Sequence, residues 1–289
     1  MTNRAVTIGA AVTAATERLR AAGFGEEDAV RDTAVIARGL LHWSLADWLA
    51  HRDQSADPAF QQALTDLTER RARHEPVAYL LGVREFFDRP FRVQPGVLIP
   101  RPETELAVEV ALEWVAALNA RTVVDVGTGS GCIAVTLALE AGDHGHQVAV
   151  TATDVSDVAL DVARANAAHL GAATITWLRC DLLDDVAGPV DVVVSNPPYV
   201  PERDRDTLSA DVRDYEPGSA LFAGADGLDV IRRLVPAAAG RLRPGGVLVM
   251  EVGHGQWPAV TQLLEAAGFT GVDWHADLQS IPRVVAARR

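Results

Sequence analysis

The chain has 289 residues, 48% hydrophobic and 22% charged, which suffices for an ordinary globular core in one large domain or two smaller ones. Its formal net charge of −13 argues against direct nucleic-acid binding, whose affinity comes mostly from neutralising phosphates. No apolar run reaches the ~20 residues that span a bilayer, and Cys132 and Cys180 have neither a disulfide framework nor metal-ligand spacing, so a soluble cytoplasmic protein with no membrane partner and no metal is expected.

Residues 1 to about 75 read as all-helical. The N-terminal stretch MTNRAVTIGAAVTAATERLR is weakly hydrophobic and broken by Glu17 and Arg18, so it reads as an amphipathic helix rather than a signal peptide. Gly23 and Gly25 end that helix, and DAVRDTAVIARGLL forms the next. HWSLADWLAHRD carries Ser44 as an N-cap, and PAFQQALTDLTERRARH opens with Pro58 at a first helical position. The arginines of ERRARHE, Glu69 to Glu75, read as a solvated helix face. Residues 76–100 read as a linker with a hairpin, REFFDRPFRVQ, turning around Asp88, Arg89 and Pro90. A long helix then starts near Pro102.

After Arg121, strand and helix alternate. TVVDVG, VAVTATD, TITWLRC, VDVVVSN and GVLVMEVG read as strands; CIAVTLALE, SDVALDVARANAAHL and GLDVIRRLVPAAAGRL read as helices. Such alternation implies a mostly parallel sheet with helices on both faces, an α/β domain over 101–289.

Gly127, Thr128, Gly129, Ser130 and Gly131 lie between the first strand and its helix, where glycines let a backbone approach a ligand closely. The spacing is G-x-G-x-G, which does not fit the dinucleotide fingerprint. Asp154 ends the next strand, the place from which an acid binds ribose hydroxyls. Asp181 follows the third strand, within reach of an adenine amino group. The fourth strand stops at Asn196-Pro197-Pro198-Tyr199, on the same rim. There the Asn196 side-chain oxygen and the Pro197 carbonyl can accept both hydrogens of a planar NH₂ group. Tyr199 can pack on its flat face, and the prolines stiffen the turn without adding a donor. This motif does not choose between amides and amino-bases.

The blocks EPVAYLLGVREFF, VLIPRPETELAVE, DVGTGSGCIA, SNPPYVP, YEPGSALFAGADGL and LRPGGVLVMEVGHGQ, in this order, resemble the HemK/PrmC family. Those enzymes are class I S-adenosylmethionine-dependent methyltransferases that modify the glutamine of the Gly-Gly-Gln motif in class 1 peptide chain release factors. The resemblance implies a Rossmann-like fold preceded by a helical substrate-recognition domain (1–75) and the hairpin linker. It implies that Gly127 to Gly131 and Asp154 bind S-adenosylmethionine and that Asn196 touches both cofactor and substrate. Pro197, Pro198 and Tyr199 would shape the substrate pocket, with Arg101 in IPRPETE lining it, or else paired with Glu103 or Glu105 at the surface. Leu182 stands where the family often has an aromatic, and would offer apolar contact to adenine.

Overall fold

The computed structural model describes residues 6–172 and 174–289, which group into two units. One holds the N-terminal helices up to Val83 together with Ala210–Tyr215; the other holds Arg84–Ser209 and Glu216–Arg289. The first five residues of the N-terminal stretch lie outside the described ones.

In the helical unit, α1 (Ile8–Ala21) begins at Thr7, whose hydroxyl accepts the Ala10 N–H at 3.2 Å. Next comes α2 (Glu26–Leu41), and then α3 (Leu45–His51), which starts with a capping box between Ser44 and Asp47. Asp57 caps α4 (Pro58–Arg71), with Pro58 in the first turn where a missing N–H costs nothing. Short α5 (Val77–Leu81) follows. Ile8, Val12, Ile36, Phe60, Leu64 and Leu80 form the core. Arg71 is not on a solvated face: it is buried, ion-paired to Asp32 at 2.7 Å, with its guanidinium 4.6 Å from the Phe24 ring centre. Its partner lies 39 residues away, beyond the reach of local patterning.

A hairpin of β1 (Val83–Phe86) and β2 (Arg89–Arg92) follows, in the second unit from Arg84 on. Its turn is Phe87-Asp88, one step earlier than expected, and Arg89 and Pro90 already belong to the second strand. Both turn residues have positive φ, 51° and 57°, as the tight primed turns of hairpins demand. The Phe87 N–H donates to Glu105 Oε1 at 2.9 Å, fixing this conformation, and a two-stranded ribbon tolerates proline because both its strands are edges. Phe86 and Phe91 anchor the hairpin in the core, ring edge to ring face at 5.9 Å.

A single 3₁₀ turn, Pro102–Thr104, leads into α6 (Glu105–Leu118). Then β3 (Thr122–Val126), α7 (Cys132–Asp143), β4 (Ala149–Asp154), α8 (Asp157–Leu170), β5 (Ile175–Arg179) and β6 (Val190–Ser195) alternate. Two short helices, α9 (Ala210–Tyr215) and α10 (Gly218–Leu221), precede α11 (Asp229–Arg241), β7 (Leu242–Glu251), α12 (Trp257–Ala266), β8 (Thr270–Ala276) and β9 (Pro282–Arg288). The sheet order is β5-β4-β3-β6-β7-β9-β8, parallel up to β7, with β9 antiparallel to both neighbours. Strand alternation sorts the apolar side chains. Val123, Val192, Val194 and Val247 pack with α6 and α7, while Val124, Val193, Leu248 and Met250 pack with α11 and α12.

At the amino ends of the central strands, Asp191 ties three of them together. Its Oδ2 accepts the N–H groups of Arg121 (2.7 Å) and Thr122 (2.9 Å) and the Thr122 hydroxyl (2.9 Å), and its Oδ1 pairs with Arg243. Burial alone would raise its pKa; the Arg243 guanidinium and these donors outweigh that and hold the carboxyl at about 2. A depressed carboxylate pKa contributes stability above the ordinary carboxylate range and loses it as pH falls through the folded value. Asp191→Asn is expected to cost about 2 kcal/mol at pH 7, a deficit that shrinks as pH drops from about 4 toward 2. Urea titrations at pH 7 and pH 3 check this; a deficit independent of pH would leave the charge without a role.

Candidate active site

From β3 the chain runs outward to β4 and β5, then returns to lay β6 on the other side of β3. At such a reversal the flanking connections diverge and leave a crevice at the carboxyl ends of the strands. The registers set these ends level: Val126 lies beside Thr153 on one side and Ser195 on the other, and the Ser195 hydroxyl donates to the Val126 carbonyl at 2.8 Å.

The glycine loop follows β3. Gly127, Gly129 and Gly131 have φ of 73°, 55° and 82°, a region that residues with a Cβ avoid. The N–H groups of Gly127 and Thr128 both donate to the Thr153 carbonyl at 2.9 Å. Gly131 caps α7, and a Cβ on it would lie 2.9 Å from that of Ala163 on α8. Beneath the loop, buried Asp125 accepts the Thr128 hydroxyl (2.6 Å) and the Ala134 N–H (3.1 Å) on Oδ2. Burial pushes its carboxyl up to about 7. Asn166 of α8, fully buried, donates to the Ser130 carbonyl (2.8 Å) and the Arg92 carbonyl (3.0 Å) and accepts the Arg92 N–H (2.8 Å).

Asp154, at the end of β4, accepts the Gly129 N–H on Oδ2 and the Ser156 N–H on Oδ1, both at 2.9 Å. Each oxygen keeps room for a further donor. Burial raises its pKa against the pull of the Gly129, Ser156 and Val155 N–H groups. Asp181 stands beyond β5, but its carboxylate is engaged by Arg233. Leu182 has φ of 50° and is held there by the Thr153 hydroxyl, which donates to its carbonyl at 2.8 Å. A left-handed residue with a side chain costs roughly 1 kcal/mol.

A cavity of about 430 Å³ opens over this rim, lined by the glycine loop, Asp154, Asp181, Leu182, Asn196 and Pro198 among others. Asn196 Nδ2 donates to Thr104 Oγ1 at 3.0 Å. The Thr104 hydroxyl donates to Glu251 Oε2 at 2.7 Å, and the Tyr199 hydroxyl donates to Glu251 Oε1 at 3.0 Å. Burial raises the pKa of both Glu251 and Tyr199. Tyr199 does not line the main cavity but a smaller recess of about 40 Å³, shared with Asn196, Pro197 and Arg101, which line both. Arg101 is paired neither with Glu103 nor with Glu105. It donates at 2.5 Å to buried Glu216, whose other oxygen accepts the Ile99 N–H at 3.0 Å. Among the described residues, no group of three or more His, Cys, Asp or Glu is arranged to hold a metal ion.

Sequence reasoning gave Thr104 only a place in the pocket-lining stretch Ile99 to Glu105, and assigned no role to Asn166, Glu216 or Glu251. Three of these four lie in motif blocks, Thr104 in IPRPETE, Glu216 in YEPGSAL and Glu251 in LVMEVG, but nothing in their spacing shows what they touch.

Two families match the chain: the PrmC N-terminal domain over residues 10–82 and the methyltransferase small domain over 91–211. Among solved structures, the hMettl16 catalytic domain aligns with a TM-score of 0.55 at 17% identity, covering 87% of this chain and 91% of that one. The T. thermophilus 16S rRNA N2 G1207 methyltransferase aligns with a TM-score of 0.50 at 21% identity, covering 72% and 49%. At these identities the likeness is one of fold. Sequence likeness goes further. The release factor glutamine methyltransferase of Bradyrhizobium diazoefficiens is 40% identical over 94% of this chain and 91% of its own length. That of Neisseria gonorrhoeae is 45% identical over 89% and 92%. With such identity across nearly the full length of both partners, the chain belongs to the release factor glutamine methyltransferase family.

Proposed function

We propose that this chain transfers a methyl group from S-adenosylmethionine to the side-chain nitrogen of the glutamine in the Gly-Gly-Gln motif of class 1 peptide chain release factors. The observation that carries the reading is that the glycine loop, Asp154 and Asn196 to Pro198 open on one cavity, within a chain of this family. The cavity is of the size that takes a small organic ligand. Asp154 keeps acceptor capacity for a ribose diol, the glycine loop leaves backbone free of side chains, and Leu182 offers an apolar wall. These features fit the cofactor.

When bound, S-adenosylmethionine supplies a methyl group already activated on a sulfonium. An amide nitrogen is a poor nucleophile because its lone pair is delocalised into the carbonyl, so the chain's task is orientation. Asn196 Oδ1 and the Pro197 carbonyl accept the two N–H hydrogens of the substrate amide. They favour a pyramidal nitrogen and stabilise the positive charge that grows on it. The proton leaves to water afterwards. Arg101, held by Glu216, lines the substrate side. The helical unit, which carries none of this chemistry, serves as a docking surface for the release factor body.

Incubation with labelled S-adenosylmethionine and release factor, DNA or RNA should place label on the release factor alone; label on nucleic acid instead would reassign the substrate. Asp154→Ala should raise the cofactor dissociation constant by about 10- to 100-fold, the loss of a charge-assisted pair worth roughly 1.5–3 kcal/mol. Calorimetric titration measures this, and an unchanged constant would take Asp154 out of the cofactor site. Asn196→Ala should lower kcat by at least roughly 100-fold while the melting temperature stays close to wild type. Turnover near normal on release factor would end the assignment of Asn196.

A further inference from the structure

We propose that Glu251 is a positioning residue for the transfer: acting through the hydroxyl of Thr104, it fixes which way the side-chain amide of Asn196 faces. The proposal deepens the function above and rests on Asn196 being the group that holds the substrate amide.

A count of protons leads there. Glu251, at the end of β7, is 1% exposed, and both its oxygens are engaged by hydroxyls. An ionised carboxylate can only accept, and each hydroxyl has a single proton to give. Tyr199 gives its proton to Oε1 and Thr104 gives its own to Oε2. Burial, with the charge of Glu103, raises its pKa against the pull of these two donors and of Arg283; its acceptor role follows from the geometry, in which both oxygens take hydroxyl protons. With its proton committed, Thr104 Oγ1 meets Asn196 only as an acceptor. Asn196 must therefore turn its NH₂ toward Thr104, at 3.0 Å, and its Oδ1 away from it. The reverse orientation would press two oxygens together with no proton between them.

The chemistry gives this orientation its value. A substrate amide presents an NH₂, which needs an acceptor; a flipped Asn196 would present a second NH₂ and repel it. Asparagine has no intrinsic preference between its two faces, so the choice must come from its surroundings. Here it comes from a buried acid two hydrogen bonds removed, which lines neither cavity. Thr104 stands on the turn before α6 and Glu251 at the end of a central strand, so the relay also holds the Arg101–Thr104 segment against the sheet.

The test is a double-mutant cycle on methylation of release factor, with cofactor affinity measured separately by calorimetry. Thr104→Val keeps the shape and removes the relay. It should lower kcat by roughly 10- to 100-fold, as is usual when the partner that orients a binding side chain is lost, with the cofactor dissociation constant unchanged. Thr104→Ser, which restores the hydroxyl, should recover most of that loss. Thr104→Val combined with Asn196→Ala should be no slower than Asn196→Ala alone, because residues acting as one unit are not additive. Should Thr104→Val not fold, Glu251→Leu, which removes the acceptor that takes the Thr104 proton, enters the same cycle with the same expectation. Additive losses, a serine variant as slow as the valine variant, or wild-type kcat in Thr104→Val would each overturn the relay. A wild-type chain that does not label release factor would overturn the proposed function and the relay with it, whereas an active wild type with additive losses overturns the relay alone.

Discussion

The return of the chain across β3 is the constraint on which the rest of this structure depends. Two halves of a parallel sheet, wound in opposite senses from one central strand, leave their helices diverging above its carboxyl end. That reversal brings the glycine loop, Asp154 and the asparagine turn to one opening. The loop belongs to β3, Asp154 to β4 and Asn196 to β6, so each arrives at the rim on a rigid strand rather than on a wandering loop. Precision at the site is a property of the sheet's hydrogen bonds. The knot at Asp191 secures those strands from the opposite end.

Carboxylates do four different things here, and environment alone separates them. Asp191 is surrounded by donors and an arginine and stays ionised well below the usual range. Asp125, sealed beneath the glycine loop with only Oδ2 partnered, titrates near neutrality. Asp154 sets burial against three backbone N–H groups while keeping acceptor capacity toward the cavity. Glu251 spends both oxygens on hydroxyls. Desolvation acts on all four; the number and charge of the donors decides the outcome.

What was legible in the sequence was local. The βα alternation, the glycine loop at Gly127–Gly131, Asp154 at a strand end and the Asn196–Tyr199 turn are each written within a few consecutive residues. The helical caps at Ser44 and Pro58 are equally local. The pairings that complete the site are not: Arg101 meets a partner 115 residues on, and Thr104 one 147 residues on. Arg71 looked solvent-facing for the same reason. The hairpin turn was displaced because Phe87, a residue without turn chemistry, takes a left-handed conformation that a distant glutamate stabilises. The two last strands escaped notice because β8 is largely exposed, with little alternation to read, while β9 is a short apolar run after a proline.

The side chain of Asn166 joins the hairpin's second strand to the glycine loop through three hydrogen bonds in a sealed interior. It works as a hinge pin between two pieces of backbone with no other reason to keep pace. The hairpin tip has its own hold, the Phe87 N–H on Glu105. One added residue beside Arg92 would have to drag Ser130 with it or abandon an amide that no water can reach. The hairpin is thus held at its turn by Glu105 and at Arg92 by Asn166, and the second hold is shared with the loop that lines the cavity.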